Sequence, residues 1–162
     1  MLKKFVFLLL ASIFCLVITV SFAAPADLEG YVGAARFQTL AGDVFTYNLV
    51  DGQACGVRYQ GLSDDVLIPC QLNNYPVATI GDGAFMGYFF INNVIIPDSV
   101  VAIGTYAFFE CSALTSVIIP ESVRFIGEKA FAGCENLVIA VAKNSYAQRY
   151  AEENGIPYIF IS

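Results

Sequence analysis

The feature that most constrains this chain is an internal repeat of 23 residues. Ile80-Gly81-Asp82-Gly83-Ala84-Phe85 recurs as Ile103-Gly104-Thr105-Tyr106-Ala107-Phe108 and as Ile126-Gly127-Glu128-Lys129-Ala130-Phe131. Between these blocks, Val94-Ile95-Ile96-Pro97-Asp98-Ser99-Val100 recurs as Val117-Ile118-Ile119-Pro120-Glu121-Ser122-Val123 at the same offset. Cys111 and Cys134 share the spacing, as do Leu114 and Leu137. A unit this short cannot bury its apolar side alone, so successive units must stack and share one continuous core. Each unit is then one coil of a solenoid. In Leu114-x-x-Val117-x-Ile119, Val117 and Ile119 point to one side of a short strand. Val123, Ile126, Ala130 and Phe131 complete the inside of that coil. Pro120 ends the strand, because it has no N–H for the next ladder bond. Gly127 is expected where the chain turns tightly, in a positive-φ conformation.

Terminal coils must be covered. Upstream, Val44 to Val50 alternates as a strand, Asp51-Gly52 is a strong hairpin turn, and the return strand runs from about Ala54 to Tyr59. Val66-Leu67-Ile68-Pro69 is a degenerate first strand. Residues 24–43 fit either a short lead-in strand or an irregular segment. Downstream the pattern breaks after Val141. Asn144-Ser145 can cap a helix over residues 146–153, and Asn154-Gly155 supplies its stop. Tyr146 and Tyr150 lie on one face of that helix, set to cover the last coil.

The pattern I-G-x-x-A-F-x-x-C-x-x-L-x-x-V-x-I-P-x-S-V resembles the BspA-type leucine-rich repeat of bacterial and protist surface proteins, over roughly residues 45–158. The resemblance implies an α/β repeat solenoid, short and right-handed. It implies a parallel strand ladder on one face, an N-terminal β-hairpin cap and a C-terminal helix cap. It also implies a secreted or cell-surface protein that binds other proteins, often as an adhesin. The family has no shared catalytic residues to carry over and implies no cofactor.

The chain opens Met1-Leu2-Lys3-Lys4, runs apolar from Phe5 to Phe22 and continues Ser21-Phe22-Ala23-Ala24-Pro25. This is the layout of a secretory signal, with cleavage expected after Ala23. The apolar run is just long enough to cross a bilayer, so an uncleaved anchor is the alternative and the only expected tie to a membrane. The expected division is 1–23 signal peptide, 24–43 lead-in, 44–79 hairpin cap and degenerate first repeat, 80–141 repeats, and 142–162 capping helix and tail.

Composition narrows the chemistry. There are 14 acidic residues against 8 basic and no His, giving a formal charge of −6. The acidic balance disfavours nucleic acid as a partner. Without His, neither a Ser-His-Asp nor a Cys-His site can be built within the chain. A carboxylate-dependent hydrolase is the one chemistry left open, and it needs two close carboxylates that the sequence does not place. No Asp-rich calcium loop and no C-x-x-C zinc pair occur.

Two surfaces and four cysteines are candidate sites. If Val94, Ile96, Val117 and Ile119 face in, the spacing puts an aliphatic row Leu67-Ile95-Ile118-Val141 on the outer face of the ladder. Asn93, Ser116 and Ile139 flank it. Such an apolar row marks a protein-binding or self-association surface, or reflects only the β-propensity of branched residues. Tyr88, Phe89, Phe90, Tyr106 and Phe109 cluster on the far side of the coil, either packed between coils or stacking on a ligand. Cys111 and Cys134 hold the same position on adjacent coils, with backbones about 5 Å apart. That is close enough for a disulfide, or for a pair of thiols acting as small apolar fillers. A Cys55–Cys70 bridge would close a loop of about 16 residues, worth roughly 3 kcal/mol.

Overall fold

The computed structural model describes residues 34–161. The expected signal peptide and the first half of the lead-in, residues 24–33, lie outside the described residues. The first described unit is a β-meander. Strand β1 (Ala35–Gln38) pairs antiparallel with β2 (Val44–Val50), which pairs antiparallel with β3 (Gln53–Gln60). The turn between β2 and β3 places Asp51 at φ 48° and Gly52 at φ 74°. Two successive positive-φ residues match the strand twist, as a two-residue hairpin turn requires.

Coils follow, and all but the last add a short strand to each of two parallel ladders. The first contains β4 (Asp65–Leu67), a small hairpin β5–β6 (Gln71–Leu72, Tyr75–Pro76) and β7 (Thr79–Ile80). The second contributes β8 (Asn93–Ile95) and β9 (Ala102–Ile103), the third β10 (Ser116–Ile119) and β11 (Phe125–Ile126). The last consists of β12 (Val138–Val141), the helix α1 (Tyr146–Glu153) and β13 (Tyr158–Phe160). One sheet runs β13-β12-β10-β8-β4, with every pairing parallel. The other runs β1-β2-β3-β7-β9-β11. The chain is therefore a parallel-strand solenoid of about five turns with one helix in its C-terminal turn.

The hairpin does more than cover an end. Val57 of β3 pairs in parallel with Ile80, the same 23-residue offset that relates Ile80 to Ile103. The Gly56 N–H donates to Thr79 Oγ1 at 2.7 Å. The return strand is thus the first rung of the second ladder.

The interior follows the repeat. Val117, Ile119, Val123 and Ala130 are fully buried, and Ile126 and Phe131 nearly so. The repeated Phe forms a column: Phe85, Phe108 and Phe131 stack at centroid distances of 4.7 and 5.0 Å, close to parallel. Tyr59 of the hairpin continues it at 5.1 Å below, and Tyr150 of α1 closes it edge-on at 6.1 Å above. Ser145 caps α1, its hydroxyl accepting from the Gln148 N–H at 3.1 Å. Ala147, Tyr150 and Ala151 are the buried face of the helix.

The glycine after each repeated Ile serves a different purpose from the one expected. Gly127 has no positive φ. A Cβ there would lie 2.4 Å from the Thr105 nitrogen and 2.6 Å from the Gly104 carbonyl carbon of the coil before. Gly104 meets Asp82 and Gly81 in the same way, and Gly81 meets Gly56. These glycines let stacked backbones approach closely. The left-handed turns fall later in the coil, at Gly83, Tyr106 and Lys129 and again at Gly87, Glu110 and Gly133.

Candidate functional site

Alternation along the five-stranded ladder aligns one outward apolar position in every strand. The register lines up Leu67, Ile95, Ile118, Ala140 and Ile159. Leu67 is 40% and Ile159 58% exposed, and Ile118 is half-buried. Ile95 and Ala140 are only 7% and 3% exposed, in dips between their neighbours. The adjacent row reads Asp65, Asn93, Ser116 and Val138. Asn93 donates its side-chain amide to Asp65 across two strands. The site is an aliphatic stripe beside a polar one, with an acid at its N-terminal end.

Two residues expected on this face are elsewhere. Val141 is fully buried and pairs with Ile119, and Ile139 is fully buried and pairs with Val117. The physical reason is one missing residue. Leu114 and Leu137 remain 23 apart, but Leu114-Thr115-Ser116 is answered by Leu137-Val138, so Ser116 pairs with Val138 only 22 residues on. Every side chain of β12 therefore changes face relative to the 23-residue count. Ala140 takes the outward place, and Ile159 of β13 extends the row beyond what the repeat foretold.

The aromatic cluster divides. Tyr88 and Phe90 pack between coils, Tyr88 against Tyr59 at 5.3 Å with its hydroxyl donating to the Tyr59 carbonyl at 2.9 Å. Phe89 is 70% exposed. Tyr106 and Phe109 form a separate edge-on pair at 5.3 Å, with the Lys129 ammonium 5.9 Å above the Tyr106 ring.

The cysteines stack as their spacing predicts. Cys111 is fully buried and Cys134 half-buried, and both are free thiols. The Cys111 Sγ donates to the Phe85 carbonyl at 2.9 Å, and the Cys134 Sγ to the Phe108 carbonyl at 3.1 Å. Cys55 lies half-buried in β3, and the carbonyl of Cys70 accepts from the Val77 N–H and the Ser99 hydroxyl.

Among the described residues Asp43 is the one buried carboxylate. It accepts from the Tyr59 hydroxyl at 2.7 Å and from the Ser63 hydroxyl at 2.8 and 2.9 Å. Those bonds knit the two loops flanking the hairpin. The Asp82 carboxylate accepts from the Thr105 N–H on the next coil, a bond within the stack. No group of three or more metal-ligating side chains occurs among the described residues, and none of their helices is long and apolar enough to cross a membrane.

With this geometry in hand, comparison with known proteins is informative. The profile of the family described as BspA type leucine rich repeat region matches residues 76–151 in six copies. A solved leucine-rich repeat protein from Bacteroides capillosus is 33% identical, covering 68% of this chain and 84% of its own, with a TM-score of 0.58. A leucine rich cell surface protein from Faecalibacterium prausnitzii is 30% identical, covering 74% of this chain and 31% of its own, with a TM-score of 0.55. One from Bacteroides ovatus is 32% identical, over 60% and 30%, with a TM-score of 0.50. The chain thus spans less than a third of the length of these last two. No curated protein matches it.

Proposed function

The chain belongs to the BspA-type leucine-rich repeat family, and from that premise we propose that it is an exported protein-interaction module that docks its partner on the outer face of the strand ladder. The family supports contact with another protein as its mode of action. The observation that carries the choice of surface is the aliphatic row, where Leu67, Ile118 and Ile159 leave apolar surface in water across five paired strands. Apolar side chains left in water along one face of a sheet mark interfaces. The partner is a host or envelope protein, and adhesion to it is the activity.

The test is a pull-down from host and envelope extracts with wild type and Leu67→Asp/Ile118→Asp. Both substitutions fall on side chains with solvent access. Ile95 is avoided because a charge at a buried position costs folding. The variant should lose the proteins that wild type captures while keeping its circular dichroism and melting temperature. Capture of the same proteins by a native-like variant would move the binding surface elsewhere. Concentration-dependent oligomers of wild type that the variant abolishes would instead identify a self-associating envelope component using the same row.

A further inference from the structure

The binding face does not involve the two stacked thiols, and these carry a separate inference. Cys111 and Cys134 are equivalent residues of consecutive coils. The coils are held together beside them by the Phe108 N–H on the Ala130 carbonyl at 2.7 Å and the Glu110 N–H on the Ala132 carbonyl at 2.8 Å. Backbones hydrogen-bonded in this way lie about 4.8 Å apart, as in a sheet, inside the Cα separation of about 4.4–6.8 Å that a disulfide spans. Their side chains meet: the Cys134 sulfur faces both the backbone N–H and the thiol of Cys111. The two differ in access, since Cys111 is sealed in the core and Cys134 is half-buried. Neither thiol is needed to satisfy its carbonyl. The Phe85 carbonyl also accepts from the Tyr88 N–H, and the Phe108 carbonyl from the Cys111 N–H. Removing the S–H donors therefore orphans no buried acceptor.

We propose that Cys134 and Cys111 are an oxidation site, Cys134 the attacking thiol and Cys111 the resolving one, which a low-molecular-weight disulfide converts into a bond between adjacent coils. The Cys134 thiolate attacks one sulfur of the disulfide RSSR, forming a mixed disulfide and expelling RS⁻, which takes up the proton Cys134 gave. Cys111 then attacks the Cys134 sulfur and expels the second RS⁻, which takes up the Cys111 proton. Two protein thiols are oxidised and one RSSR is reduced to two RSH. The division of roles follows from access and charge. The Cys111 side chain beside it, with the Cys111 backbone N–H, holds the Cys134 thiol below its ordinary range, while the neighbouring Cys134 and burial push Cys111 up. An accessible thiol of lowered pKa next to a second cysteine is the arrangement that reacts first and is then resolved.

The probe is oxidised glutathione added to the folded chain, followed by alkylation of remaining thiols and peptide mapping by mass spectrometry. Wild type should yield a peptide linked Cys111 to Cys134, about 2 Da lighter than the reduced pair. Cys111→Ser, its fold checked by circular dichroism, should stop at one glutathione on Cys134. Cys134→Ser should leave Cys111 unmodified. A native-like Cys111→Ser chain without glutathione on Cys134 would overturn the proposal, as would wild type in which both cysteines are still alkylated after oxidation.

Discussion

Gly127→Ala tests whether coil spacing is set by backbone contact. Gly127 does not use a left-handed conformation, so alanine can adopt its φ. The new methyl would nevertheless stand 2.4 Å from the Thr105 nitrogen, 2.6 Å from the Gly104 carbonyl carbon and 2.7 Å from the Thr105 Cα. None of these is the end of a flexible side chain. The Gly127 N–H also donates to the Ile103 carbonyl at 2.8 Å, so the coils cannot part without straining a ladder bond. Overpacking against rigid surroundings costs about 3 kcal/mol, at the upper end of its usual range. Restricting the unfolded chain returns about 0.5–1 kcal/mol. The net loss is roughly 2–2.5 kcal/mol, a fall in melting temperature of roughly 5–10 °C for a domain of this size. Gly87→Asn is the paired control. Gly87 sits at φ +75° with nothing within 4 Å of a Cβ, and Glu110 holds φ 56° at the equivalent place one coil on. Asparagine tolerates that region, so the control should lose less than about 1 kcal/mol. Thermal melts by circular dichroism read both. If Gly127→Ala melts no lower than Gly87→Asn, close approach is not what the glycine provides.

Other predictions follow from the column and the hairpin. Phe108→Ala removes a fully buried ring stacked between Phe85 and Phe131. It should cost about 3–5 kcal/mol in urea unfolding, and a loss near 1 kcal/mol would mean the column is not the spine of the core. Burial, with the Asp43 carboxylate beside it, raises the Tyr59 hydroxyl above its ordinary 10.0, and burial raises Tyr47, Tyr88 and Tyr150 likewise. The folded state then keeps protons that the unfolded chain gives up. This contribution is whole below pH 10.0 and is lost as pH rises above it. Urea midpoints measured from about pH 8 to about pH 11 should fall at the alkaline end, less steeply in Tyr59→Phe. Equal slopes would show that Tyr59 gives up its proton as readily folded as unfolded.

How far the sequence could be read depends on whether position or contact decides a feature. The strand ladder, the buried set Val117, Ile119, Val123, Ile126, Ala130 and Phe131, the Asp51-Gly52 turn and the Ser145 cap follow from local chemistry and a fixed period, and all are in place. The outer row is different, because which side chain faces out depends on counting from the coil before. Observed coil offsets along the ladder are 28 from β4 to β8, 23 to β10, 22 to β12 and 19 to β13. A period of 23 is right for one of these steps only. At the next, the single residue absent before Val138 sends Val141 and Ile139 into the core. The solenoid accepts the shortening because it falls in the turn ahead of β12, while the pairing from Ser116–Val138 to Ile119–Val141 stays unbroken. What selects the register is burial. Placing Ile139 and Val141 inside buries two branched side chains and gives Val138 and Ala140 the outward places. The 23-residue alternative would expose those two and turn the smaller Val138 and Ala140 inward, losing about 0.8 kcal/mol for each methylene equivalent moved into water. The same reasoning explains why the repeat does not mark β13 as a rung. Its Tyr158, Ile159 and Phe160 share no spacing with the repeat, and the helix before it absorbs the difference, so only the parallel pairing with Ile139, Ala140 and Val141 marks it as another rung.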